Sequence, residues 1–353
     1  MRNITMMLVA VAMLSASCSS GATDAATVST TGASAPTTAV PPTTTTVDQT
    51  TTTALTSDSG VTVTRDIVYL EMNGHEYLVD VYVPDGDGPW PVVVALHGAT
   101  VYKSDAHLTV VAKAAAEAGM LVFAPNWVAA WPQSLSALDA EFIRTEIPAG
   151  RCALAYAQEQ AIFYGGDPDH TVVYGMSGGA TTGARLVLGP TSDLTQGCVA
   201  ETLPMSPVGA VLGDAEYFYH NGLWDGAFSS DTEEMQAIVA ETVDPASWTT
   251  DLPTRIRIWA AETGSFARSS DDPWDEDAWF AQRDPDGTIR EDLDELGELD
   301  DGVISYIDEG RLLATRLQEA GVDTTFDILP GGHTTADKIR ELVAYLLDAA
   351  GSD

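Results

Sequence analysis

The chain has 353 residues, with 52 acidic against 16 basic side chains and a formal charge of −36. Nucleic acid and anionic headgroups would repel such a molecule, which excludes a general affinity for either. The length allows two average domains, but the first sixty or so residues hold almost nothing that could pack into a core, so one domain of under about 300 residues is expected.

Taken in chain order, Arg2, the apolar stretch Met6 to Leu14 and the small residues up to Cys18 form the charged, hydrophobic and cleavage regions of a signal peptide over residues 1–18. The apolar run is too short to span a bilayer. Leu14-Ser15-Ala16-Ser17-Cys18 resembles the lipobox of bacterial lipoproteins, in which the cysteine is acylated and becomes the mature N-terminus. It departs in one place: the branched apolar residue normally three before the cysteine is serine here, with Leu14 one position early. Export is expected either way, with a lipid anchor on Cys18 or with ordinary cleavage and free secretion. Residues 19–60 are rich in Thr, Ser, Ala and Pro and cannot recover their ordering entropy by packing, so a disordered tether is expected there.

From residue 61 short apolar runs alternate with longer helical stretches, the pattern of a mostly parallel α/β sheet covered on both faces. Eight strands are predicted: Thr62–Leu70, Tyr77–Val83, Pro91–Leu96, Met120–Ala124, Thr171–Tyr174, Val208–Leu212, Arg255–Ala261 and Thr324–Leu329. The first two alternate polar with apolar and are joined by Asn73-Gly74, which predicts an antiparallel hairpin; the later ones are continuously apolar, as buried strands are. Helices are expected over Asp105–Ala118, Leu138–Tyr164 with a break at Pro148, Gly178–Leu188, Val303–Ala320 and Thr335–Ala349. Two long insertions, Glu216–Asp251 and Ser265–Gly302, carry aromatic side chains and the acidic block from Asp271 to Asp301; loops of that length tend to be lids or binding walls. After the signal region only Cys152 and Cys198 remain. A single disulfide between them is expected in an oxidising compartment, and neither has metal-binding spacing.

Three motifs carry chemistry. Gly175-Met176-Ser177-Gly178-Gly179 follows an apolar strand and opens a helix, the setting of a nucleophile elbow that projects the Ser177 hydroxyl from the carboxyl edge of a sheet. His97-Gly98 ends the third predicted strand, so backbone N–H groups of Gly98 or Ala99, together with that of Gly178, are placed to hold an oxyanion. His333, in Pro330-Gly331-Gly332-His333-Thr334, follows the last strand, and a neutral imidazole there suits a general base. His97 is expected to position its loop, and His75, His107, His170 and His220 to lie on the surface or in loops.

Together these stretches resemble the α/β-hydrolase superfamily, closest to its single-domain carboxylesterases and acetylxylan- or feruloyl-esterase-like members. The likeness rests on Val79-Asp80-Val81-Tyr82-Val83-Pro84, on Pro91 through Leu96 into His97-Gly98, on Tyr164-Gly165-Gly166-Asp167-Pro168, on the elbow and on Gly331-Gly332-His333. It implies an α/β-hydrolase catalytic domain over residues 61–353, and a serine esterase that works through an acyl-enzyme on Ser177, with no metal and no cofactor. The substrate would be a small-molecule or carbohydrate-linked ester, with membrane contact only through the lipid anchor. Family members usually carry an aspartate a few residues past the seventh strand; Gly264 stands there in this chain. Glu262 is the nearest carboxylate and the first choice for the acid, its extra methylene offsetting an earlier backbone position. Asp214, closing the sixth predicted strand, is the second choice, and Asp271 and Asp272 are the third. Two other readings stay open: a peptidase or amidase of the same fold, and a non-catalytic exported binding protein if the absent aspartate marks a broken triad.

Overall fold

The computed structural model describes residues 54–56, 60–99, 101–130, 140–189, 193–215, 217, 248–249, 252–262, 306–333 and 338–351. All eight expected strands form, and a ninth joins them at the edge. In chain order they are β1 (Ala54–Thr56), β2 (Val61–Met72), β3 (His75–Pro84), β4 (Trp90–Leu96), β5 (Leu121–Pro125), β6 (Gly166–Met176), β7 (Gly209–Gly213), β8 (Arg255–Ala261) and β9 (Asp323–Leu329). They form one sheet in the order β1-β2-β3-β5-β4-β6-β7-β8-β9. The first four pair antiparallel, and every pairing from β5 through β4 to β9 is parallel. The β2–β3 hairpin turns on Asn73 (φ 54°) and Gly74 (φ 77°), the double left-handed geometry that an Asn-Gly pair adopts in a two-residue turn. The extra strand, β1, falls inside the stretch expected to be a tether; its partners are Thr62 to Thr64 of β2. The signal region and Cys18 lie outside the described residues.

The helices are α1 (Ala106–Glu117), α2 (Ala140–Ala161), α3 (Gly178–Leu188), α4 (Tyr306–Glu319) and α5 (Ile339–Ala349). Period-two alternation along β4 sends Val92, Val94 and Leu96 into one cluster with apolar residues of α2, α3 and α4, and Val93 and Ala95 into another with those of α1 and α5. Both faces of the sheet are therefore covered. The expected break at Pro148 does not occur: α2 runs through it, so the missing N–H and the push of the ring on the preceding turn are absorbed within the helix. That helix stops at Ala161, where a 3₁₀ turn, Ile162–Tyr164, ends on left-handed Gly165 (φ 85°). Helix α4 is described from Tyr306, so the expected start at Val303 lies outside the described residues, as do Thr335, most of the first insertion and all of the second. Tyr217 and Trp248 are described from the first insertion, and both are buried.

Cys152 of α2 and Cys198 are joined by a disulfide, with their Cα atoms 5.7 Å apart and a sequence separation of 46. Cys198 also forms a bridge to Leu70 of β2, so the bond ties α2 to the start of the sheet. Closing a loop of that size in the unfolded chain is worth about 4 kcal/mol on the chain-entropy account. A Cys152→Ala/Cys198→Ala variant is expected to lose about that much in urea unfolding, with a slope that rises as the uncrosslinked chain exposes more surface; a loss below about 1 kcal/mol with an unchanged slope would mean that the uncrosslinked denatured chain stays compact.

Candidate active site

Strand β6 ends at Met176, and the chain reverses into α3 through Ser177, whose backbone sits at φ 54° and ψ −133°. A non-glycine residue there is strained by roughly 1–3 kcal/mol and persists only where the surroundings fix it. What fixes it is packing of backbone on backbone. A Cβ on Gly175 would overlap the carbonyl of Gly179, and one on Gly179 would overlap the carbonyls of Leu96 and His97, so neither position admits a side chain. The Ser177 N–H donates to the carbonyl of Gly213 at the end of β7 (2.9 Å), and the Ser177 carbonyl accepts from Ala180 (2.8 Å) and Thr181 (3.1 Å) in the first turn of α3. Ser177 is half-buried, at the mouth of the site.

The loop after β4 passes beside this turn. A Cβ built on Gly178 would lie 3.1 Å from the amide nitrogen of Ala99, which puts the N–H of Gly178, at the positive end of α3, and that of Ala99 close together. His97, from which the loop departs, is fully buried, and burial pulls its pKa down to about 4, so the ring is neutral. It stacks on Trp127 with ring centroids 5.1 Å apart, and the Trp127 indole N–H donates to the His97 carbonyl at 3.0 Å. With that carbonyl held back, the following amides are presented at the elbow. His97 thus stands buried at the start of the loop, stacked on Trp127. Trp127 was not singled out from the sequence; the only signal was its place just beyond the carboxyl end of β5.

His333 stands after β9, a quarter exposed, and its Nδ1 lies 2.5 Å from Oδ2 of Asp214. A carboxylate can only accept, so Nδ1 carries the proton and Nε2 is left as the basic nitrogen. Asp214 follows β7 at φ 45° with its carboxylate wholly buried; its other oxygen accepts the Ala261 N–H at 2.9 Å, and its own N–H donates to Trp259 at 2.7 Å. The carboxylate paired with His333 is therefore Asp214, the second choice from sequence, and not Glu262. The N–H of Glu262 is bound to the carbonyl of Leu329 on β9, which continues the sheet register and turns the glutamate out into solvent. Asp271, Asp272 and Gly264 lie outside the described residues.

The imidazole and its loop have further supports. Tyr306 of α4 packs beside the ring at 6.2 Å, and buried Lys338 donates from Nζ to the carbonyl of Gly332 at 2.9 Å while lying over the indole of Trp259. The backbone N–H of Tyr217 donates to buried Glu309 of α4, which holds the chain just past Asp214. Because Met176 pairs with Gly213 across β6 and β7, the next residues, Ser177 and Asp214, leave the sheet side by side, and His333 is bound to the second of them. His75 and His170 are exposed, His107 is partly so, and His220 lies outside the described residues. Among the described residues no group of three or more His, Cys, Asp or Glu is arranged to hold a metal ion.

No protein-family model matches the sequence, and a search of curated proteins returns no relative. Solved structures do match. A truncated carbohydrate esterase from gut microbiota superposes over 85% of this chain and 100% of its own with a TM-score of 0.51 at 13% identity. A thermophilic esterase from the Planctomycetes species Thermogutta terrifontis, with butyrate bound, covers 81% of this chain and 94% of its own (TM-score 0.53, 17% identity). A bacterial heroin esterase covers 82% and 85% (TM-score 0.51, 19% identity). These are α/β-hydrolases, and the fold of the present chain is the α/β-hydrolase fold.

His97 provides a pH test of this geometry. Its folded pKa of about 4 lies below the ordinary value of 6.5, so the unfolded chain takes up the proton first as pH falls. The stabilisation is whole above about pH 6.5 and is lost progressively down to about pH 4, by about 3 kcal/mol in all. The stability advantage of the wild type over His97→Gln is expected to shrink by that amount between about pH 7 and pH 4 in denaturant titrations. A pH-independent difference would show that the ring is solvated in the folded protein.

Proposed function

We propose that the chain is a serine ester hydrolase in which Ser177 is the nucleophile, His333 the general base and Asp214 the carboxylate that orients it. The observation that carries this reading is the buried Asp214–His333 hydrogen bond beside the strained Ser177 turn. Esterase structures among the fold's neighbours support ester hydrolysis in general. On this reading the Ser177 hydroxyl adds to the ester carbonyl as its proton passes to Nε2 of His333. The negative oxygen is then held by the N–H groups of Ala99 and Gly178, with Gly98 shaping the approach between them. Collapse expels the alcohol, which takes the proton from the imidazolium, and a water molecule repeats the sequence on the acyl-enzyme to release the acid and free Ser177. Asp214 fixes the tautomer and stabilises the imidazolium without itself taking the proton.

The substrate class we propose is a small-molecule or carbohydrate-linked ester, by analogy with neighbours described as a carbohydrate esterase and as a butyrate-bound esterase. We also propose export, with or without a lipid anchor at Cys18, from the signal-like N-terminus. Among the described residues no helix is long and apolar enough to cross a membrane. A non-catalytic reading was motivated by a missing acid, and that motive falls away once Asp214 is paired with His333.

A fluorophosphonate is expected to add one covalent label to the wild type, seen by intact mass, and none to Ser177→Ala; an unlabelled wild type overturns the assignment. Hydrolysis of a chromogenic acetate ester separates the two acids. Asp214→Asn is expected to lower kcat by roughly 10³- to 10⁴-fold through the wrong tautomer, whereas Glu262→Gln should stay within about twofold. A large loss in Glu262→Gln with Asp214→Asn nearly unaffected would return the acid to Glu262.

A further inference from the structure

The chain holds three lysines, Lys103, Lys113 and Lys338, yet two of them are buried. Lysine is almost never buried without a specific partner. Lys338 is bound to the histidine loop, as described above. Lys103 lies in the loop between β4 and α1, six residues after His97, and only 6% of its surface is exposed. Its Nζ donates to Oδ1 of Asp66 at 2.6 Å and to Oδ1 of Asp80, and its backbone N–H donates to Oδ1 of Asn126 at 2.8 Å.

The receiving side is as fully determined. Asp80, on β3, is wholly buried; Oδ2 accepts from Arg65 at 2.7 Å, and Oδ1 accepts the Asp66 N–H at 3.0 Å besides Lys103. Asp66 sits at φ 58° in the irregular stretch of β2 between Thr64 and Ile67, which is what lets both its amide and its carboxylate face the cluster. Two cations and two anions close a neutral group in a chain that is otherwise strongly acidic. Asn126 is held in turn by Leu78, whose carbonyl accepts its N–H at 2.8 Å, and by the Tyr69 hydroxyl, which donates to its carbonyl at 2.8 Å.

We propose that Lys103 is a positioning residue for the oxyanion loop: it fastens the far end of residues 97–105 to the β2–β3 hairpin, while Trp127 fastens the near end at His97. The loop between them carries the Gly98 and Ala99 amides. A buried ion pair is a poor source of stability, since the desolvation of its charges offsets most of their attraction, but it accepts only one geometry. That is the property required of a loop whose amides must stand ready before charge develops on the substrate. The catalytic part of the proposal rests on the ester-hydrolase reading, whereas the fastening itself does not.

The test compares Lys103→Met, which keeps the stem and removes the ammonium, with Lys103→Arg, and reads hydrogen exchange alongside ester kinetics. In Lys103→Met, amides of residues 97–105 are expected to exchange at least about tenfold faster while those of α3 and β6 do not change. Its kcat should fall roughly 10- to 100-fold with KM within about twofold, the signature of lost transition-state stabilisation, and Lys103→Arg should recover most of the rate. If Lys103→Met does not fold, Lys103→Met/Asp80→Asn, which removes one charge of each sign, takes its place. Unchanged exchange over 97–105 in a folded variant overturns the proposal, as does a normal kcat or a rate loss confined to KM. If the wild type hydrolyses no ester, the ester-hydrolase reading fails alone, and the exchange measurement still decides whether Lys103 holds the loop.

Discussion

A single backbone hydrogen bond, from the Ser177 N–H to the carbonyl of Gly213, joins the ends of β6 and β7 at the point where both strands leave the sheet. Everything at the site is arranged around that junction. It holds Ser177 in a conformation that an L-residue avoids, and it brings the residue just after β7, Asp214, alongside. Asp214 is itself at positive φ, so two strained residues stand on neighbouring strand ends. Strain of this sort is tolerated because the parallel sheet beneath, covered by helices on both faces, leaves the backbone no alternative path.

The strands, the elbow and the terminal histidine were legible in the sequence because each has a local signature: an unbroken apolar run, a glycine pair around a serine, glycines before an imidazole. The acid was not. Choosing between Asp214 and Glu262 depends on which of two adjacent strand ends leans toward His333, and lateral packing leaves no trace in spacing along the chain. Ala261 donates to the Asp214 carboxylate, so the position just before Glu262 serves the acid through its backbone and carries none itself. Trp127 and Lys103 were missed for the same reason, since both act on a loop distant in sequence. Pro148 misled in the other direction: proline disfavours a helix interior, yet tertiary packing of α2 against the sheet and α3 overrides a local preference.

Placing the acid on β7 also changes what the rest of the chain must do. In the arrangement expected from the family, the connection after β8 would have to present a carboxylate; with Asp214 in that role on our reading, that connection need supply none. The densely acidic stretch from Asp271 to Asp301 stands in a connection released from that duty. Conversely, the segments that flank the site are restrained by polar groups: buried Trp127 and partly buried Asn126 beside the loop after β4, buried Lys338 and Glu309 on the histidine side.

The scarcity and burial of lysine have a practical outcome. With Lys103 and Lys338 enclosed, the Lys113 amine on α1 is the one lysine side chain that meets solvent, 47% exposed and loosely paired with Glu117. Amine-reactive coupling to a surface or dye would join the folded protein there, besides its own amino terminus. Helix α1 covers the face of the sheet shared with α5, away from the helix that begins at Ser177. Attachment at Lys113 would therefore tether the protein through a flank and not through the Ser177 turn.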